Sequence, residues 1–141
     1  MSGLTLADYE VAAFLIVAAL IFASCLWGRR GVVNFLNEHA TIAEDRDLSE
    51  FKTLVRRQMW VAVGVMCLGM IYMLACILLT KQFLLLGLLL VLAVSIPIIL
   101  LARSSKKLET KARTLTCANL QLQTEYEHVA LAWTKSLFPD F

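Results

Sequence analysis

Three stretches without a charged residue decide what this chain can become: residues 11–27, 59–79 and 83–102, which are 17, 21 and 20 residues long. As helices at about 1.5 Å per residue they cover roughly 26–32 Å, the depth of a bilayer's hydrocarbon core. Apolar residues make up 60% of the chain and the mean hydropathy is +0.74, above the range of soluble domains. Tyr9 and Trp27 bracket the first stretch and Trp60 opens the second, at the level where amphipathic rings settle. The first ten residues carry Asp8 and Glu10 but no basic residue. A cleavable leader needs a positive start, so the first stretch reads as a retained helix.

The expected fold is an all-α membrane protein with three transmembrane helices, a helical loop and a long amphipathic C-terminal helix. The divisions are a short outside N-terminus (1–10), a first span (11–27), a loop (28–57), a second span (58–79), an outside turn (80–82), a third span (83–102) and a tail (103–141). Only Thr80, Lys81 and Gln82 separate the last two spans, which forces an antiparallel hairpin.

Orientation follows from the basic residues. Arg29, Arg30, Arg46, Lys52, Arg56 and Arg57 lie in the loop, and Arg103, Lys106, Lys107, Lys111, Arg113 and Lys135 in the tail. Lys81 alone is on the other side. The positive-inside rule predicts a cytoplasmic loop and tail. A net charge of +2 is too small to argue for nucleic acid as a partner.

The loop and tail both carry helical patterns. Val32, Val33, Leu36 and Ala40 share helical spacing; Glu44 to Asp47 read as a turn, with Asp47 as the cap of a helix whose apolar face is Leu48, Phe51, Leu54 and Val55. In the tail a 3-4 spacing holds over four heptads. Ala112, Asn119, Tyr126 and Trp133 occupy one set of positions, and Leu108, Leu115, Leu122 and Val129 the other. Such a stripe suits association with a second helix, with Asn119 setting register, or packing of an amphipathic helix onto the chain's own loop. Pro139 is expected to end the helix.

Residues fit for chemistry are sparse. The spans hold no Asp, Glu, Lys, Arg or His, which argues against ion-coupled carriers, proton relays and intramembrane hydrolases. No enzyme activity and no cofactor are expected. His39 and His128 adjoin Glu38 and Glu127, but sequence neighbours point to different sides of a helix, so both read as solvated histidines. Cys25, Cys67, Cys76 and Cys117 have neither redox nor zinc spacing and read as small apolar residues.

Small residues mark where helices can approach: Ala12, Ala19 and Ala23 in the first span, Ala62 and Gly69 in the second, Gly87 in the third. Pro97 is expected to kink the third span. The second span also carries Met66, Met70 and Met73, soft ligands that suit Cu(I). Three spans, an outside N-terminus, Met66-x-x-x-Met70 and a tight turn into the third span resemble the outline of the high-affinity copper transporters, the Ctr family. That resemblance implies a Cu(I) path through Met66 and Met70. The chain departs from the family in lacking a methionine-rich N-terminus, a G-x-x-x-G in the third span and a terminal His-Cys-His.

The function expected from these features is a small non-enzymatic subunit, embedded in the lipid bilayer, that assembles with itself or with larger membrane-protein subunits through its C-terminal helix. The alternative is a homo-oligomeric pore, comparable in size to holins and stress-response membrane effectors. A YidC/Oxa1-type insertase ranks below both, because its polar groove needs an arginine buried among the spans.

Overall fold

The computed structural model describes residues 6–136 and Phe138. Pro139 therefore lies outside the described residues. Among these the chain forms four helices: α1 (Leu6–Glu38), α2 (Asp45–Lys81), α3 (Phe83–Ala112) and α4 (Leu120–Lys135). The first three are long and apolar enough to cross a membrane. At about 1.5 Å per residue the 33 residues of α1 reach roughly 50 Å, so each long helix extends several turns beyond its apolar stretch. Those extensions, with α4, build a helical domain at the basic end of the molecule.

α1 and α2 pack antiparallel along one seam. Phe14 stacks on Tyr72 with ring centroids 5.1 Å apart, Gly28 meets Gln58, and Phe35 meets Phe51 at 5.6 Å. The buried α1 positions Phe14, Ala18, Ile21, Gly28, Val32 and Phe35 follow steps of four and three, with one step of seven from Ile21 to Gly28. That is the spacing of left-handed helix pairs. Gly28 is needed at this approach, since a Cβ there would sit 2.9 Å from Gln58 Oε1. The buried Gln58 uses the room to donate from Nε2 to the Gly28 carbonyl at 2.6 Å.

α2 and α3 form the tight hairpin. Helical backbone runs on through Thr80 and Lys81, and the conformational break falls at Leu84 (φ 34°, ψ −97°). The turn thus sits just after Thr80, Lys81 and Gln82, because a Thr-Lys-Gln sequence has no helix breaker. A positive φ at leucine is strained, and Leu84 offsets little of that by packing, being 77% exposed. Inside the hairpin the Tyr72 and Ser95 hydroxyls hydrogen-bond at 2.8 Å. The backbone stays helical through Pro97.

The tail departs most from the sequence expectation. A continuous four-heptad helix is absent: α3 ends at Ala112, with Arg113 as its cap, and α4 starts after Asn119. The connecting strand-like segment pairs with the α1–α2 loop. Ile42 N–H donates to the Thr116 carbonyl at 3.0 Å, and Ala118 N–H donates to the Ile42 carbonyl at 2.9 Å. Those loop contacts outweigh helix continuation where Thr114, Thr116 and Asn119, all poor helix formers, cluster. The reversal lays α4 across the base of α1 and α2. One core results, centred on Phe51, Ile42 and Val55, each fully buried, with Tyr126, Val129 and Ala130 closing it from α4.

Tyr126 ties this reversal together. Its hydroxyl donates to the Ala112 carbonyl at 2.5 Å and accepts from Leu115 N–H at 3.2 Å. One side chain so satisfies both backbone groups freed where α3 stops. Burial pushes the phenol up to about 12. An unfolded tyrosine ionises near 10, so the folded state holds its proton more tightly, and stability present below pH 10 is lost as pH rises from about 10 to 12. Tyr126→Phe is expected to cost about 1–3 kcal/mol at neutral pH by leaving both backbone groups unpaired, and to flatten the alkaline loss. Thermal melts of both proteins between pH 7 and 12 measure this; parallel pH profiles for the two would refute it.

Candidate functional site

The chain's polar features gather at the basic end, in three places. The first is the turn between α1 and α2. Glu38 and His39 leave the end of α1, while Asp47 and Glu50 stand on the first turns of α2. The α2 cap is Glu44, three residues before Asp47. The expected cap residue works instead from within the helix: Asp47 Oδ2 accepts from Ala43 N–H at 2.9 Å and Glu44 N–H at 3.1 Å. That turn folds the start of α2 back against His39. The His39 ring stacks on Phe35 at 4.6 Å, and its Nδ1 lies 3.2 Å from the Phe35 carbonyl. Its Nε2 lies 3.4 Å from Asp47 Oδ1 and 3.5 Å from Glu50 Oε2. Arg46 Nε holds the other Glu50 oxygen at 3.1 Å. His39, read from sequence as solvated, has a side chain only 12% exposed.

The second is a cleft of about 550 Å³ between the same two helices, running from Trp27 to Glu38 and Glu50. Arg57 forms its wall. The guanidinium stands 5.4 Å from the Trp27 ring centroid and covers Gly31, where a Cβ would fall 1.7 Å from Nη2. The glycine is thus the seat of a cation–π contact that closes the first apolar stretch.

The third is a pocket of about 160 Å³ among α1, α2 and α3, lined by polar groups from Arg29, Gln58, Ser105 and Glu109. Arg29 Nε and Ser105 Oγ are buried there without a hydrogen-bond partner among the described residues. Counting charges by span boundary misses this arginine. It lies two residues past Trp27, yet α1 continues and α3 covers it.

The tail stripe faces inward. Ala112, Tyr126 and Val129 are buried in the core, and Leu108, Leu115, Leu122 and Trp133 pack against it. Asn119 is exposed as the cap of α4 and meets no facing helix. The stripe therefore joins the tail to the chain's own loop. Lys52 and Glu125 add an ion pair at 3.1 Å between α2 and α4, and Arg113 stands over Trp133 at 5.6 Å.

The small residues of the spans divide. Gly87 is buried against α2, where a Cβ would stand 2.5 Å from the Leu79 carbonyl oxygen. Gly69 has open space around it. Ala12, Ala19, Ala23 and Ala62 are exposed, the α1 three on the face turned away from the seam. Met66, Met70 and Met73 are 57%, 74% and 64% exposed. They could surround a common axis only if several copies packed through this face of α2.

No protein-family model, curated protein or solved structure matches this chain. What the architecture defines is a class: an all-α chain with three helices able to cross a membrane and a helical domain at one end.

Proposed function

We propose that this chain is a non-enzymatic integral membrane protein that serves as a small subunit of a larger membrane assembly, with its loop-and-tail domain on the cytoplasmic side. The observation that carries this reading is the contrast between its two ends. At the basic end apolar side chains of loop and tail close a common core. Along the spans the helices bury little against one another: none of the most apolar stretch of α2 is buried, 6% of that of α3 and 22% of that of α1. A three-helix unit so thinly packed leaves long apolar faces for lipid and for neighbouring helices, and the Ala12, Ala19, Ala23 face of α1 permits the close approach that membrane helices use. The C-terminal helix then acts as a strut of the domain, and assembly runs through the spans. Basic residues on loop and tail favour the cytoplasmic placement.

The test is the mass and composition of the particle extracted from its native membrane in mild detergent. Co-purification with larger subunits at a fixed ratio is expected, and Ala19→Leu with Ala23→Leu should release the chain from them. A homogeneous oligomer of this chain alone that leaks dye from vesicles would overturn the reading in favour of a pore.

A further inference from the structure

We propose that Glu38, His39 and Glu50, with Asp47 beside them, form a binding site for one divalent transition-metal ion of the zinc class, clamping the end of α1 to the start of α2. The ligand atoms of Glu38, His39 and Glu50 lie within 4.8 Å of one another. The imidazole is held from outside the cluster, by its stack on Phe35 and by Nδ1 at the Phe35 carbonyl. A carbonyl can only accept, so Nδ1 carries the hydrogen. In the neutral ring this leaves the Nε2 lone pair directed at two carboxylates, Asp47 and Glu50. This is the outer-shell arrangement that orients metal-binding histidines.

A lone pair facing two anionic oxygens needs a positive charge between them, either a proton or a metal ion. The distances separate the two. A charge-assisted N–H···O bond is about 2.7–2.9 Å long, whereas Nε2 stands 3.4 Å and 3.5 Å from its two oxygens, with neither favoured. Atoms bound at about 2.0–2.2 Å to a tetrahedral zinc ion stand about 3.4 Å apart. The His39–Glu50 contact therefore has the length of one tetrahedron edge, within a ligand set of Glu38, His39 and Glu50 whose atoms all lie within 4.8 Å. An imidazole nitrogen with carboxylate oxygens and no sulfur suits Zn2+ rather than Cu(I). Negative charge is in surplus here, since three carboxylates face one imidazole and Arg46 engages only one oxygen of Glu50. The carbonyl end of α1 also favours a cation at this point. Because α1 and α2 each supply ligands, binding free energy becomes stability of the domain.

The full chain in detergent, stripped with chelator, would be titrated with Zn2+ by calorimetry and then with Co2+ as a visible-light probe. One ion per chain, a raised melting temperature and the absorption of tetrahedral Co2+ are expected. His39→Gln and Glu50→Gln, each checked for helix content, should weaken uptake roughly 10- to 100-fold. Zn2+ uptake that persists undiminished in both variants would overturn the proposal, since the ion would then sit elsewhere. So would a folded wild-type chain that takes up no Zn2+, or one stabilised only by lowering the pH through the imidazole range, which would assign the charge to a proton.

Discussion

Phe51→Ala is expected to unfold the loop-and-tail domain while leaving the spans helical. Phe51 is fully buried and contacts rings from three directions: Phe35 at 5.6 Å, Tyr126 at 4.6 Å and Trp133 at 6.0 Å. It thus touches α1 and α4 together. Removing a buried phenylalanine costs about 3–5 kcal/mol through lost transfer energy and the cavity left behind. The Lys52–Glu125 ion pair between α2 and α4 is exposed and contributes at most about 1 kcal/mol, so the apolar core around Phe51 carries most of that connection. The loss bears on the docking of α4 and on the contact with α1. Limited trypsin digestion reads it directly. Sites at Lys111, Arg113 and Lys135 are expected to resist in the wild-type chain and to be cut rapidly in the variant, with the Trp133 fluorescence shifting to the red. Equal protection of the two tails would show that Phe51 does not organise the core.

Gly87→Ala is expected to open the α2–α3 hairpin. The added methyl carbon would stand 2.5 Å from the Leu79 carbonyl oxygen and 3.0 Å from its carbon. Both are backbone atoms, so no rotamer change relieves the clash and the helices must separate. Overpacking of this kind costs about 1–3 kcal/mol, and separation also threatens the hydroxyl bond between Tyr72 and Ser95. Gly69→Ala supplies the matched control, because nothing lies within 4 Å of the position its methyl would take. Titration of both variants with a denaturing detergent should move the unfolding midpoint down for Gly87→Ala and leave Gly69→Ala at the wild-type value. Coincident midpoints for all three proteins would mean the hairpin is not closed at Gly87.

These residues also show how far sequence reasoning reaches. The tail spacing identifies a buried stripe, since Leu108, Leu115, Leu122 and Val129 repeat at helical intervals, but a stripe does not name the surface that covers it. The break between Ala112 and Asn119 interrupts no part of that spacing, so an intact heptad pattern spans a chain reversal. Inside the spans the difficulty is the opposite. The α1 seam through Phe14, Ala18 and Ile21 has the spacing of a helix pair, yet nearly every neighbour is apolar too, and a period without contrast goes unseen. At the α1–α2 turn, His39 was legible only as a histidine beside Glu38; its partners Asp47 and Glu50 lie 8 and 11 residues on.

By itself the sequence determined what depends on local composition: three charge-free stretches long enough to cross a bilayer, a turn too short for anything but a hairpin, and helices in loop and tail. Those properties need only the cost of placing charge in hydrocarbon and the rise of a helix. Tertiary structure alone decided that α4 folds back, that Gly87 and not Gly69 is a close contact, and that His39 meets two carboxylates. Each of these rests on contacts between residues far apart in the chain. The two loops joined at Ile42 and Thr116 bring those residues together, and no periodicity within one segment records that pairing.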